Sequence, residues 1–110
     1  IDLYLKKKSK KELSMLNDKQ QRLYEAFTTS THEGEHLDSK TETLVGLAAA
    51  MAMDCGPCTN YYMKLARQEK ITKEEIAEVL AKVMSVAAGQ KRLQMLDIME
   101  KYKLDLADYK

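Results

Sequence analysis

The 110-residue sequence has no tryptophan, one phenylalanine and one proline, and these shortages narrow what it can form. With so few aromatic side chains and seven methionines, the core is expected to be aliphatic, which suits packed helices better than a β-sandwich. Cysteine is also scarce: there are two, in one C-x-x-C pattern, which favours redox or metal chemistry over a fold held together by structural disulfides. A chain of this length forms a single domain, residues 1–110, with one modest core.

An excess of charge of one sign is missing as well. The net charge is +1, so the chain as a whole offers no electrostatic case for binding nucleic acid. A basic N-terminal segment, 1–16, is an exception that we interpret as a solvated helix start, with a phosphate or membrane-surface patch as the alternative. The longest apolar run, Leu44 to Met53, is too short for a bilayer, which needs about 20 residues. No secretory signal is visible, so we expect a cytoplasmic protein that does not bind membranes.

Helix signals follow one another along the chain, and no alternating strand pattern competes with them. Capping boxes at Ser9–Glu12, Ser39–Glu42 and Thr72–Glu75 each predict a helix start, and Asn17 predicts a fourth. Gly89 predicts a break that separates a further helix. The sequence therefore predicts an all-α fold of five or six helices.

The apolar residues indicate which faces of these helices are buried. Leu23, Phe27 and Tyr24 are expected on the inner face of the helix that starts near Asn17. The run from Leu44 to Met53 is apolar nearly all round, which is typical of a helix buried on most sides. An amphipathic stripe follows Thr72, made of Ile76, Val79, Leu80, Val83, Met84 and Ala87.

The two cysteines, Cys55 and Cys58, enclose Gly56 and Pro57 where a new helix is expected to begin. This spacing lets the two thiols close a disulfide and reopen it. The thiolate is the reactive form, and a helix N-terminus stabilises it through its dipole and free N–H groups. Tyr62 follows Cys58 by four residues and so shares its helix face, where its hydroxyl could donate to a thiolate or simply pack.

Two histidines give the sequence a second possible chemistry. His32 and His36 formally match H-E-x-x-H, but that signature needs a continuous helix, and Gly34 argues against one. The same histidines could instead join Cys55 and Cys58 in a tetrahedral metal site. A chain with this much apolar helix should not need zinc to fold, so we expect no metal and no organic cofactor, with the four-ligand site as the alternative.

The segments 40–66 and 71–80 resemble the carboxymuconolactone decarboxylase superfamily, and within it the alkyl hydroperoxidase D-like branch. The resemblance extends over a core of about 20–100. It implies an all-helical fold arranged as an orthogonal bundle, a homo-oligomer that is commonly a trimer or hexamer, and a peroxidase-type antioxidant activity through the C-x-x-C pair. The decarboxylase branch generally lacks these cysteines, so Cys55 and Cys58 argue against decarboxylation.

The same resemblance implies roles for single residues. Cys58 would attack a peroxide, Cys55 would resolve the product into a disulfide, and a dithiol reductant would reopen it. The branch has a glutamate twelve residues before the first cysteine and a histidine four residues after the second. Those positions hold Thr43, with Glu42 beside it, and Tyr62. The proton relay is thus absent as written, and Glu42, His32 or His36 could replace the lost base.

We therefore expect a thiol-dependent, peroxiredoxin-type enzyme acting on a peroxide or other small molecule, with Cys58, Cys55, Tyr62 and Glu42 as its catalytic residues. Two alternatives stay open. One is a non-enzymatic helical oligomer that binds a small ligand or metal at the cysteine end. The other is a decarboxylase-like enzyme, which needs an anion-holding arginine from among Arg22, Arg67 and Arg92.

Overall fold

The computed structural model describes residues 15–110, and within them the chain is helical with no strand. The four α-helices are α1 (Asp18–Thr31), α2 (Ser39–Ala52), α3 (Gly56–Gln68) and α4 (Lys73–Lys101), and a 3₁₀ turn follows at Leu106–Asp108. The predicted all-α class is confirmed.

The predicted count of five or six helices is wrong for the described part of the chain, which has four. The main error is at Gly89, where α4 continues without a break. A single glycine costs a helix only about 1 kcal/mol relative to alanine, and the surrounding residues are good helix formers. The predicted helix that starts at Ser9–Glu12, together with most of the basic segment 1–16, lies outside the described residues.

Side-chain caps mark the start of each of the four α-helices. Asn17 caps α1 by accepting the Gln20 N–H at 2.8 Å, as predicted. The predicted capping box of Thr72 and Glu75 is present at the start of α4.

The predicted capping box at Ser39–Glu42 is wrong. The cap of α2 is Asp38, whose carboxylate accepts the Thr41 N–H at 2.7 Å. A charged oxygen is a stronger acceptor than a hydroxyl, so the preceding aspartate takes the position. This backbone bond is the main reason that the pKa of Asp38 is lowered.

The core lies around α2, which packs against both α3 and α4. Thr43, Leu47 and Ala50 are the buried residues of α2, and their spacing of four and three puts them on one helix face. They meet Ala66 of α3 and Ile71 of the following loop, the other buried apolar residues of the described chain. The expectation that α2 is buried on most sides is met only in part, because several of its apolar residues are exposed: Val45, Met51 and the following Met53.

The predicted inner face of α1 is wrong. Leu23, Tyr24 and Phe27 are exposed, Phe27 to 68%, and the one buried residue of α1 is Thr28. Thr28 can be accommodated there because its hydroxyl donates to the Tyr24 carbonyl within the helix. Within residues 15–110, the apolar side of α1 is therefore uncovered.

Helix α4 is the longest element, yet none of its 29 residues is buried. The first half of the predicted stripe, from Ile76 to Val83, is half-buried, whereas Met84 and Ala87 are exposed. Every residue from 84 to 98 is exposed, and this stretch includes Met84 at 72% and Leu93 at 63%. Within residues 15–110, none of the helices combines the length and the apolar character needed to span a membrane.

Candidate redox site

Cys55 and Cys58 are joined by a disulfide at the start of α3, with their Cα atoms 5.3 Å apart. Cys55 is the N-cap of the helix, and its Sγ accepts the N–H of Cys58 at 3.3 Å. Pro57 stands in the first turn, where its missing N–H leaves no donor unsatisfied. Both cysteines are half-buried, so the pair at a helix start that the sequence predicted is present and reachable from solvent.

A tight turn carries the chain from α2 into this site. Asp54 has a φ of 55°, a left-handed conformation that ends α2. The N–H of Cys55 then donates to the Ala50 carbonyl at 2.9 Å. On the far side, the Thr59 hydroxyl donates to the Cys55 carbonyl at 2.8 Å. These bonds fix the backbone of Cys55 to both helices, so the disulfide is held at a defined position.

Tyr62, one turn after Cys58, is held by close packing. A Cβ added at Gly46 of α2 would overlap its ring, so only glycine allows the two helices to approach this closely. His32 stacks on Tyr62 with the rings nearly parallel and their centroids 6.0 Å apart. Tyr61 meets Tyr62 and His32 edge-on, at 5.0 and 5.5 Å. His32, Tyr61 and Tyr62 form what we call the aromatic cluster.

The carboxylate of Glu69 also lies in this region, held by Thr43, and the sequence alone did not predict it. The Thr43 hydroxyl donates to the carboxylate of Glu69, at the end of α3, and also lies 3.0 Å from the Ser39 carbonyl oxygen. The Ser39 hydroxyl donates to the other oxygen of Glu69. Glu69 is 26 residues from Thr43 in sequence and belongs to no motif, so only the packing of α3 on α2 reveals the pair.

The aromatic cluster and Glu69 enclose a pocket of about 250 Å³, which we call the Tyr62 pocket. Glu42 also lines this pocket. Its carboxylate lies so close to Gly34 that a Cβ added there would overlap it. None of the residues around this pocket is an arginine. They are Thr31, His32, Ser39, Glu42, Thr43, Tyr61, Tyr62, Leu65 and Glu69.

A second depression, of about 370 Å³, lies on the Cys55 side of the disulfide. It is lined by Met51, Asp54, Cys55, Gly56, Thr59 and Asn60. The disulfide therefore has open space beside it, while the Tyr62 pocket lies one helical turn further along α3.

The surroundings of the aromatic cluster alter two titrations. Burial lowers the pKa of His32, and the charge of Glu42 opposes this shift. The imidazole is therefore neutral at pH 7 and able to accept a proton. Burial also raises the pKa of Tyr61, and the nearby charge of Glu69 adds to that effect. Tyr61 consequently keeps its proton throughout the physiological range.

The structure separates the residues of the alternative metal site. Cys55 and Cys58 are bonded to each other, and His32 packs in the aromatic cluster. His36 is exposed, with 94% of its side chain accessible, beside Glu35 at 4.0 Å. Across residues 15–110, no group of three or more His, Cys, Asp or Glu side chains is placed to hold a metal ion. Both histidines follow the end of α1, outside any helix, unlike the helical H-E-x-x-H arrangement.

Two features define the class of protein: the described residues are helical without strands, and a bonded cysteine pair lies at the start of a helix. The family model for the carboxymuconolactone decarboxylase family matches residues 19–101. The chain belongs to that family, and the match extends from α1 to the end of α4. A search of curated proteins gave no match to this sequence.

Proposed function

We propose that the protein is a thiol-dependent oxidoreductase of the alkyl hydroperoxidase D-like type, which reduces hydroperoxides by opening and closing the Cys55–Cys58 bridge. The observation that carries this proposal is the bridge itself, half-buried at the N-terminus of α3. A purely structural disulfide joins distant parts of a chain, whereas this one closes a single helical turn. It restrains little of the unfolded chain, which favours a role in chemistry.

In the proposed cycle the Cys58 thiolate attacks the terminal oxygen of a hydroperoxide. The S–O bond forms as the O–O bond breaks, and the departing alkoxide takes a proton and leaves as an alcohol. Cys58 is then a sulfenic acid. The Cys55 thiolate attacks the Cys58 sulfur, the S–S bond forms, and hydroxide leaves as water after protonation. An external dithiol reduces the bridge through a mixed disulfide and is itself oxidised.

The helix start supports the thiolates in this cycle. The positive end of the α3 dipole lies at Cys55 and Cys58, and the Cys58 N–H donates to the Cys55 sulfur. Both effects stabilise negative charge on sulfur. Tyr62, on the same face as Cys58, would orient or polarise that sulfur. Glu42 would serve as a base from the Tyr62 pocket, where its carboxylate lies beside Gly34 of the loop that follows α1.

We further propose that the active form is a homo-oligomer, a trimer or hexamer, assembled through α1 and α4. The support is the apolar surface left uncovered on both helices, from Leu23 to Phe27 and from Met84 to Ile98. Contiguous exposed apolar surface of this extent is typical of association surfaces. The cycling pair also fits a reducing compartment such as the cytoplasm, where a dithiol donor is at hand.

The decisive experiment measures hydroperoxide consumption with a dithiol donor in excess. The parent protein should turn over, and Cys58→Ser should lose the protein-dependent rate. Cys55→Ser is the matched variant: with the dithiol donor left out, it should consume about one equivalent of peroxide and stop with Cys58 as a sulfenic acid, since no partner closes the bridge. Equal rates for the parent and Cys58→Ser would overturn the proposal.

Thiol counting gives an independent measurement. Reduced parent protein treated with one equivalent of hydroperoxide should lose both thiols without forming a covalent dimer. Retention of both thiols under these conditions would contradict a disulfide cycle and would favour a protein that only binds its ligand.

A further inference from the structure

The loop after α1 treats the two histidines differently. His32 is the C-cap of α1, and its N–H donates to the Thr29 carbonyl at 3.0 Å, which fixes its backbone to the helix end. From there its ring reaches the aromatic cluster and lines the Tyr62 pocket. His36, four residues later, is almost fully exposed. Of the bases that the sequence offered as replacements for the missing one, only His32 and Glu42 line this pocket.

Each reaction of Cys58 requires a proton to leave or return to its sulfur. Tyr62 lies one turn along the same helix face, at a rise of about 6 Å. His32 is stacked on Tyr62 and is half-buried. An imidazole held next to this tyrosine is well suited to the task, because a neutral imidazole has one nitrogen that accepts a proton and one that donates.

We infer that His32 accepts and returns the proton of Cys58 by acting through Tyr62, and is thus a positioning residue for the reactive thiol. The inference rests on the proposed function. The geometry behind it is the stacking of the two rings, the fixed backbone of His32 at the end of α1, and the pocket that both residues line.

The groups around His32 are compatible with this role. Among the described residues, the titratable groups facing it are Glu42 from α2 and Tyr61, Tyr62 and Glu69 from α3. The Glu42 carboxylate favours the imidazolium that forms when His32 takes up a proton. Glu69 is held in place by the hydroxyls of Thr43 and Ser39, so its charge stays at a fixed distance from the cluster.

The test follows the alkylation rate of Cys58 by iodoacetamide against pH, in a Cys55→Ser background so that one thiol reacts. His32→Gln should move the midpoint of the profile upward, so that alkylation at pH 7 slows by about fivefold to tenfold. His36→Gln is the matched control and should leave the profile unchanged. An unchanged profile in His32→Gln, or an equal shift in both variants, would overturn the inference.

The path through Tyr62 is tested by combining substitutions. In a Tyr62→Phe background, His32→Gln should cause no further slowing, because the two residues act in series. A full additional slowing would refute the involvement of Tyr62. If His32→Gln does not fold, His32→Ala with added imidazole provides a second route: restored alkylation supports the role of the ring, and failure of imidazole to restore it in a folded variant contradicts it.

These readouts separate the two proposals. If His32→Gln leaves the midpoint of the alkylation profile unchanged while peroxide turnover still depends on Cys58, the role of His32 is refuted and the proposed enzyme function is retained. Peroxide consumption that is independent of Cys58 would remove the function, whatever the alkylation profile shows.

Discussion

The hydroxyl of Thr43 donates to the carboxylate of Glu69, which joins the first half of α2 to the end of α3. Thr43 is only 1% exposed, so this is a hydrogen bond to a charged group with water largely excluded on one side. The Ser39 hydroxyl, one turn earlier on α2, holds the second carboxylate oxygen. Together these bonds set the distance between the two helices at the wall of the Tyr62 pocket.

Thr43→Val should lower the free energy of unfolding by about 1–2 kcal/mol. The substitution keeps the shape of the side chain but removes the donor to Glu69, which then loses part of its hydrogen bonding. Urea unfolding measures the change. Thr29→Val in α1 is the matched control: the Thr29 hydroxyl makes no hydrogen bond with the residues that the structure describes, so the substitution should change stability by less than about 0.5 kcal/mol. Equal losses in the two variants would contradict the importance of the Thr43–Glu69 bond.

Gly46→Ala should destabilise the protein by about 1–3 kcal/mol, because the new methyl group would overlap the Tyr62 ring and force α2 and α3 apart. Gly89→Ala is a contrasting control in the middle of α4, where an added Cβ meets no atom of residues 15–110 within 4 Å. It should stabilise the protein by about 0.5–1 kcal/mol through helix propensity. Thermal unfolding of both variants gives the comparison, and a harmless Gly46→Ala would refute the described packing.

Glu75 should make stability depend on pH in acid. Its ion pair with Lys40 and its bond from the Thr72 N–H lower its pKa to about 2. A carboxyl with a lowered folded pKa stabilises the protein above its unfolded pKa, near 4.5, and this contribution is lost as pH falls toward 2. Glu75→Gln should therefore flatten the fall in Tm between pH 4.5 and 2.

The control for this measurement is Glu78→Gln, an exposed glutamate one turn further along α4. It removes the same charge without breaking the link between the N-termini of α2 and α4. A parent-like acid profile in Glu75→Gln, or the same flattening in Glu78→Gln, would show that the Lys40 pair does not carry the effect.

Leu93→Glu should reduce the oligomer to smaller species if copies assemble through α4. Burying a charge in an apolar contact is unfavourable, and Leu93 is exposed in the single chain, so its own fold should tolerate the change. Light scattering during size-exclusion chromatography measures the mass. Gln94→Glu is the control: it adds the same charge one residue away, at a position that is already polar, and should retain the parent mass. A monomeric parent protein would refute the assembly outright.

The sequence predicted those features of the fold that depend on residues close together in the chain. The cap at Asn17 and the capping box of Thr72 and Glu75 were predictable because cap and helix lie within four residues of each other. The start of α3 at Cys55 was predictable for the same reason, since Gly56-Pro57 and the cysteine spacing together define one turn. Asp38 shows the limit of such patterns. Asp38 and Ser39 are adjacent and both suit an N-cap, and the carboxylate of Asp38, the stronger acceptor, caps the helix.

The features that the sequence did not reveal depend on how helices meet. Glu69 reaches Thr43 across 26 residues, and His32 reaches Tyr62 across 30 positions, with no motif that spans either gap. Leu23 and Phe27 have the spacing of a buried helix face, but none of the helices that the structure describes covers them. At Gly89 the propensity of the flanking residues outweighed a single poor helix former.

The length of α4 also separates two properties of this molecule. At 1.5 Å per residue, α4 is about 44 Å long, whereas α2 and α3 are each about 20 Å long. Its distal half therefore projects past the two helices that flank the Cys55–Cys58 disulfide. In the proposed assembly, substitutions there would change how copies recognise one another and leave the disulfide as it is, so quaternary structure and reactivity could diverge independently.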